Sequence, residues 1–462
     1  MEKIVAFAKR RGFAYPGSAI YGGFANSYTY GPYGVELKKN IKDLWWKTFV
    51  QNREDVVGID GDIILHPKTW KASGHLENFN DQMVDCKNCR ARLRADHIVE
   101  EQAKVDCEGM SDKEVTALIK EHDIKCPKCG KKEFTDVRKF NMMFSTQMAK
   151  TADADSDDGM AYLRPETAQA IFLEFKNVVD TMRVKLPFGI GQTGKAFRNE
   201  ITPGNFTFRT REFEQMEVEY FCAEKDWEKI YPELEKASWD FFAKLGVDPK
   251  NLRWRKHDDA ELSHYSSLTK DIEYKFPWGW GELQGLAYRA DYDLKQHAKF
   301  SGESLEYLDN ATNEKFVPHC IEPSFGCDRT VLTVLLDAYS EDEVNGEKRV
   351  VMKFDPRVAP IKVAILPLSR KEPLTKKARE IYDILRKEFR CEYDETQSIG
   401  KRYRRQDEIG TPLCVTVDFG TIGEDDGQSK KDCVTVRDRD SLEQVEVPIK
   451  DLRNFVATRI KI

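Results

Sequence analysis

Apolar residues recur at helical spacing through 35–50, VELKKNIKDLWWKTFV, and the pattern breaks at 51–65, QNREDVVGIDGDIIL, which reads as a loop and a strand. A helix feeding a strand therefore opens the chain. EFEQMEVEYF (212–221) and IEYKF (272–276) alternate with period two, as half-buried strands do, and one helical stretch from Asp226 to Leu245 lies between them. Many strands with few crossover helices imply an antiparallel sheet and an α+β fold. After Arg329, TVLTVLLDAY reads as a helix ending in the polar segment SEDEVNGEK, and Pro356 and Pro360 then mark a boundary. Residues 361–462 read strand (KVAILPL), helix (LTKKAREIYDILRKEF), strand, short basic helix, three strands (LCVTVDF, DCVTVRD, EQVEVPI) and a closing helix, a small α/β unit.

Composition narrows the class. The 462 residues are 40% hydrophobic, 33% charged and 11% aromatic, too aromatic for a disordered chain. At about 100–200 residues per domain they make two to four domains. No run approaches the ~18 apolar residues of a membrane span, and MEKIVAFAKRRGF lacks the apolar core of a signal peptide, so a cytoplasmic location is expected. No 20–50-residue repeat is present, which excludes solenoids and propellers. Net charge is −6, against a generic nucleic-acid coat, yet residues 357–462 alone carry +3 and the rest −9. The basic side is C-terminal.

Between 81 and 160 the character changes to cysteine pairs, charges and a capping-box helix from Ser111 to Glu114, which reads as an insertion. Cys86-x-x-Cys89 and Cys126-x-x-Cys129, 36 residues apart, form two knuckles able to aim four thiolates at one tetrahedral zinc ion. A closed four-sulfur site is structural, since no coordination position remains for substrate. Eleven cysteines in so long a chain form no disulfide framework, and the thiols are expected to be reduced. Two other motifs mislead. GIGQTGKA (189–196) nearly matches a phosphate loop, but Ala196 replaces the metal-binding hydroxyl and no helix follows, so it reads as a turn between strands. The acidic run Asp153 to Gly159 resembles a calcium loop, but its glycine comes one residue late and position twelve is Arg164, so it reads as a solvated loop.

The most informative stretch is Phe197-Arg198-Asn199-Glu200, an eleven-residue loop, then Glu212 to Tyr220. In a strand, Phe213, Gln215 and Glu217 share one face while Met216, Val218 and Tyr220 share the other. Arg198 and Glu200, two apart, are expected on one face of the preceding strand. Such a pair of strands would gather Arg, Glu, Phe and Glu over one pocket.

Arg209, Phe213 and Glu217 follow F-R-x-E at four-residue intervals, a pattern that resembles motif 2 of class II aminoacyl-tRNA synthetases. Gly326-Cys327-Asp328-Arg329 looks like motif 3, with Cys327 where an aliphatic residue is usual. Segment 31–65 looks like motif 1 without its closing proline. RADH (94–97), YLRPETAQ (162–169), GQTGKAFRNEITPGNFTFRTREFEQMEVEYF, WGELQGLAYRADYDL (280–294) and EPSFGCDR (322–329) are similar to the homodimeric glycyl-tRNA synthetase family, through nearly the whole chain.

That resemblance implies a class II antiparallel catalytic domain in two parts, 1–80 with motif 1 and 161–355 with motifs 2 and 3. It also implies a zinc-binding insertion at 81–160 and an anticodon-binding domain at 356–462. The implied reaction is ATP-dependent activation of glycine and its transfer to tRNA(Gly) by a homodimer, with Mg²⁺ at ATP. The alternatives are a class IIa synthetase for another amino acid and a synthetase-derived binding protein without catalysis. Arg198, Arg329 and Glu282 are the implied catalytic residues, Glu282 as the Mg²⁺ ligand. ATP contacts are implied for Arg198, Asn199, Glu200, Phe208, Arg209, Thr210, Arg211, Glu212, Phe213, Glu282, Leu283, Gly326, Cys327, Asp328 and Arg329. In this scheme Arg198 bridges the carboxylate and α-phosphate, Arg209 and Arg329 hold the outer phosphates, Phe213 stacks on adenine and Glu200 accepts from its amino group. Glycine contacts are implied for Arg94, Glu166, Phe213, Glu214, Gln215, Met216, Glu217, Glu322, Pro323, Ser324, Phe325 and Gly326. Gln284 stands where relatives are expected to carry an acid. In the C-terminal unit Lys401, Arg402, Arg404 and Arg405 flank Tyr403, a pattern suited to phosphates and stacked bases of single-stranded RNA.

Overall fold

The structure, a computed structural model, describes residues 1–460 except 108, 149–158, 202–203, 259–260, 264, 345 and 425–429. The acidic run 153–158 therefore lies outside the described residues.

A seven-stranded sheet forms the central body. Its strands are β1 (Val56–Gly58), β2 (Phe188–Phe197), β3 (Glu212–Cys222), β4 (Leu252–Lys256), β5 (Leu268–Phe276), β6 (Gly279–Ala290) and β7 (His319–Gly326), in the order β4-β5-β6-β7-β3-β2-β1. Neighbours run antiparallel except β2 and β1. The period-two pattern explains how each face is used. Met216, Val218 and Tyr220 of β3 join a core with Trp45, Phe49 and Phe241, while Phe221 on the opposite face packs against Phe172 and Phe175.

Helix α1 (Pro32–Trp46) starts on a proline, whose missing N–H costs nothing in a first turn, and buries Leu37, Ile41 and Trp45 at four-residue spacing. A π-helical turn, Lys47–Gln51, continues it and buries Phe49 and Val50. Helix α2 (Ala168–Met182) covers the other face of the sheet, and α3 (Trp227–Lys244) adds Phe241 and Phe242 to the first core. Helix α4 (Cys327–Ala338) follows β7 directly.

Between β1 and β2 a small three-stranded sheet (Asn80–Asp85, Arg92–Arg94, Arg138–Asn141) packs with helices Ala95–Ala103 and Asp112–Glu121 around a core of its own. Ser111 and Glu114 form the capping box at the start of the second helix. C-terminal to the body, strands β8 (Val363–Pro367), β9 (Cys391–Tyr393), β10 (Leu413–Val417), β11 (Cys433–Asp438) and β12 (Gln444–Pro448) form a second sheet in the order β9-β8-β10-β11-β12. Helices Glu372–Leu385, Ile399–Ile409 and Ile449–Ile460 accompany it. A buried ion pair joins this unit to the body: Arg349 donates to Asp407 at 3.2 Å, and within the unit Arg437 donates to the same carboxylate at 2.8 Å.

Four local expectations need correction. GIGQTGKA is no turn but the body of β2, and its glycines serve close packing. A Cβ on Gly194 would fall 2.2 Å from the Arg164 guanidinium, and one on Gly191 would fall 2.7 Å from Val50. Arg198 and Glu200 lie beyond the end of β2 at Phe197, on connecting backbone. SEDEVNGEK belongs to a hairpin, Tyr339–Val344 paired with Glu347–Met352. In the basic helix, Arg402 is buried and donates to the carbonyls of Pro367, Asp394 and Leu368, and Tyr403 bonds Thr416 and packs on Ala364 and Leu366. Neither is free for RNA. Arg405 is paired with Asp394, whereas Lys401 is exposed and Arg404 reaches, among the described residues, Val344 O and Glu347 at 3.4 and 3.5 Å.

Candidate active site

One cleft opens where β2, β3, β6 and β7 meet α4. Its lining includes Arg198, Glu200, Thr207, Phe208, Arg209, Thr210, Phe213, Gln215, Glu282, Ser324, Gly326 and Arg329. Residues more than a hundred positions apart thus share one surface. Arg198 donates through Nε to Pro165 O at 3.1 Å and lies over the rings of Phe79 and Phe213, 5.3 Å from each centroid. Arg209 stands 3.6 Å from Glu200. Arg329 covers Phe208 at 4.4 Å and donates to Glu282 at 3.0 Å. Three guanidinium groups facing one cleft repel one another unless an anion lies among them, and their planar forks suit phosphate and carboxylate oxygens.

Farther along β3 and β7 the charge reverses. Glu166, Glu217, Glu219, Asp293 and Glu322 are all buried. Arg289, 1% exposed, donates to Asp293 through Nε and Nη2 at 2.8 and 2.9 Å and to Glu322 through Nη1 at 3.0 Å. It stands 4.0 Å from Glu166, and its flat guanidinium lies on Tyr265, 3.8 Å from the ring centre. His75 Nε2 lies 3.2 Å from Glu166. Burial opposes ionisation of Glu166, but His75 and Arg289 outweigh it and hold its carboxyl below the usual range. For Glu322 and Glu219, burial and the neighbouring carboxyls win over Arg289, and both are pushed well above the ordinary value. Thr167 donates to Glu217 Oε2, while Glu217 Oε1 has no hydrogen-bond partner among the described residues. The cluster carries more buried acid than Arg289 can neutralise, a surplus that suits a small cationic group at its edge.

Several expected contacts fall elsewhere. Met216, Phe325, Cys327 and the Leu283 side chain belong to the hydrophobic core, because they alternate with the cleft-facing residues or begin α4 on its inner face. Pro323 is buried in β7 opposite Leu286. Glu214 and Asp328 border the cleft, but their carboxylates turn to α1: Glu214 pairs with Lys42 at 2.7 Å and Lys38 at 3.3 Å, and Asp328 accepts from Tyr30 and Lys38 at 2.6 and 2.8 Å. Asn199, Arg211 and Glu212 line an adjoining, more apolar cleft with Phe24, Tyr28 and Phe144. Arg94 is paired with Asp81 and Asp96 and is not part of the cleft wall. Arg289, Asp293, Glu219 and His75 escaped the sequence analysis. The one available signal was a pair of opposite charges, Arg289 and Asp293, closing the otherwise apolar run LQGLAY.

The four knuckle cysteines also converge. Cys86 and Cys129 Sγ are 3.6 Å apart, as are those of Cys89 and Cys126, and all four sulfurs lie within 4.8 Å of one another. A tetrahedron with metal–sulfur bonds of about 2.3 Å has edges near 3.8 Å, so the donor set fits one tetrahedral ion. Hydrogen bonds from the Lys131 backbone and from Asn88 lower the Cys129 thiol to about 6 and favour the thiolate that a metal requires.

Comparison with known proteins agrees with this geometry. A family model described as tRNA synthetase class II core domain (G, H, P, S and T) matches residues 150–339, and one described as anticodon binding domain matches 362–459. The solved prolyl-tRNA synthetase from Cryptosporidium parvum, complexed with L-proline and AMP, shares the fold. Its TM-score is 0.63 at 14% identity, over 99% of this chain and 77% of that one. The protein is a class II aminoacyl-tRNA synthetase in architecture. A third family model, glycyl-tRNA synthetase insertion domain 1, matches residues 103–142. Glycine--tRNA ligases of Clostridium acetobutylicum and Geobacillus kaustophilus are 55% and 56% identical to it, each over 100% of this chain and 99% of the relative. The chain belongs to the glycine--tRNA ligase family.

Placing Phe325 and Met216 in the core has a measurable consequence. Phe325→Ala is expected to cost about 3–5 kcal/mol in denaturant unfolding, and Met216→Leu less than about 1.5 kcal/mol. A Phe325→Ala protein as stable as its parent would contradict the packing around Trp45, Phe49 and Phe241.

Proposed function

We infer that this protein activates glycine with ATP to glycyl-adenylate and transfers the glycyl group to the 3′ end of tRNA(Gly). One observation carries the reading: a cleft with three guanidinium groups adjoins, through Gln215 and Ser324, a buried cluster of carboxyl groups. Activation brings a carboxylate against the α-phosphate, two anions that repel, so catalysis needs positioning and cationic stabilisation more than a general base.

Arg198, fixed by Pro165 O and the rings of Phe79 and Phe213, is assigned to the glycine carboxylate and the α-phosphate, stabilising the charge that grows there. Arg209 and Arg329 are assigned to the outer phosphates. Their present partners, Glu200 and Glu282, would exchange them for phosphate oxygens. Phe213 offers its face to adenine, and Glu200 its carboxylate to the adenine amino group. Glu282 is a half-exposed carboxylate on the cleft wall, the hard oxygen donor that Mg²⁺ takes together with substrate phosphates. Bound there, Mg²⁺ neutralises phosphate charge. Glu166, Glu217 and Glu322, with Ser324, are assigned to the ammonium of glycine. Alanine is refused by crowding in the same small pocket, and nothing smaller than glycine competes, so no editing site is required.

The four-cysteine cluster is assigned a structural zinc ion. A homodimer is supported by Ile20, Tyr21 and Phe24, which are 87%, 88% and 74% exposed near the start of α1 and suit cover by a second copy. Lys401 and Arg404 are retained as tRNA contacts on helix Ile399–Ile409, with Arg402 withdrawn by its burial and Arg405 by its pairing with Asp394. No helix among the described residues is long and apolar enough to cross a membrane. Eleven cysteines with no disulfide among them suit a reducing, cytoplasmic compartment.

Glycine-dependent ATP–pyrophosphate exchange tests the central assignment. Arg198→Ala is expected to lose at least about 100-fold in exchange rate, while Arg404→Ala keeps exchange and loses tRNA charging. Stimulation by threonine but not glycine would overturn the substrate, and equal loss of both steps in Arg404→Ala would remove its tRNA role. Metal analysis is expected to find about one zinc per chain, falling with Cys126→Ser. No metal after zinc-supplemented expression would refute the cluster's assignment.

A further inference from the structure

Glu219 lies on β3 two residues beyond Glu217, on the same face and fully buried. The register that sets Glu217 against Ser324 and Tyr220 against Ile321 puts Glu219 directly opposite Glu322 on β7. Carboxyl oxygens of Glu217, Glu219 and Glu322 all lie within 4.8 Å of one another. Like charges directly opposite on paired strands destabilise the sheet, and burial removes the solvent that would screen them. The charged and titratable groups facing Glu219 are Glu217 on its own strand, Cys320 and Glu322 on β7 and Arg289 on β6. Arg289 gives its hydrogen bonds to Glu322 and Asp293 and none to Glu219. What Glu219 receives is the weak, neutral Sγ–H of Cys320, at 2.9 Å from Oε2. Its Oε1 has no hydrogen-bond partner among the described residues. An anionic oxygen left bare in that position is costly, whereas a protonated one becomes a donor facing two carboxylates.

We propose that Glu219 is a positioning residue that holds a proton and donates a hydrogen bond to the Glu217–Glu322 pair, keeping those two side chains oriented toward the amino group of the amino acid. This rests on the reading of the pocket as the glycine ammonium site. Glu219 touches no substrate. It removes one negative charge from a crowded cluster and supplies the one donor that Arg289 cannot spare. That proton explains why a third glutamate is tolerated opposite Glu322 in the middle of a buried sheet.

The test varies glycine in ATP–pyrophosphate exchange for three variants. Glu219→Gln is neutral, nearly isosteric and still a donor, so its glycine KM is expected within about threefold of the parent. Glu219→Leu fills the space without a donor and is expected to raise glycine KM by about tenfold or more with ATP KM unchanged. Glu322→Gln is the reference for the pocket itself: if its glycine KM is unchanged, the ammonium-site reading fails, whatever Glu219 does. A Glu219→Gln enzyme as impaired for glycine as Glu322→Gln would overturn the proposal, because Glu219 would then act as an anion. So would a Glu219→Leu enzyme with the parent's KM. Infrared spectra of the parent at neutral pH give a readout that needs no active variant. A protonated-carboxyl C=O stretch is expected that Glu219→Gln lacks, and its absence from the parent would overturn the proposal.

Discussion

A single buried guanidinium carries the acid pocket. Arg289 is enclosed almost completely, lies flat on Tyr265 and divides its donors between Asp293 and Glu322 while standing beside Glu166. Without it, several carboxyl groups would share a site with His75 alone, among the described residues, to offset them, and burying unpaired charge is among the costliest acts in folding. Because its partners come from β7, from the segment entering α2 and from the helix after β6, one side chain ties the acid pocket to three elements. The remaining negative charge is left for a ligand to balance.

The cleft beside it is built on the opposite principle. Arg198, Arg209 and Arg329 stand on different segments, and each is occupied by groups weaker than a triphosphate: a carbonyl and two rings, a carboxylate at 3.6 Å, and a cleft-wall glutamate. The site therefore holds its cations in place with partners that phosphate oxygens can replace, which is the preorganisation that bringing two anions together demands. Glu214 and Asp328, on lysines of α1, brace β3 and α4 from below, so the motif 1 helix supports the site without entering it.

Much of this was legible in the sequence, and what was not failed for physical reasons. Period two in EFEQMEVEYF sorted Glu217 from Val218, and the C-terminal strands and helices could be read in order because each is short and bounded by turns. Met216 and Phe325 were assigned to glycine when whole motifs were taken as contacts, although strand alternation turns every second residue into the core. Arg402 looked like a phosphate ligand by its charge, yet three backbone carbonyls claim its guanidinium. Arg289 and His75 stayed hidden because Glu322 and Glu166, the partners that place them, are remote in sequence. Arg289 meets Glu322 across 33 residues, and His75 meets Glu166 across an entire inserted subdomain. No local pattern reports such pairings.

The central claim is that buried carboxylates select the ammonium while arginines hold the phosphate. Equilibrium binding of a non-hydrolysable glycyl-adenylate analogue, compared with the same compound lacking its amino group, tests it most directly. The account predicts that removing the amino group weakens binding by at least about 100-fold, since it leaves buried anions without a counter-charge. Equal affinity for the two compounds would contradict it.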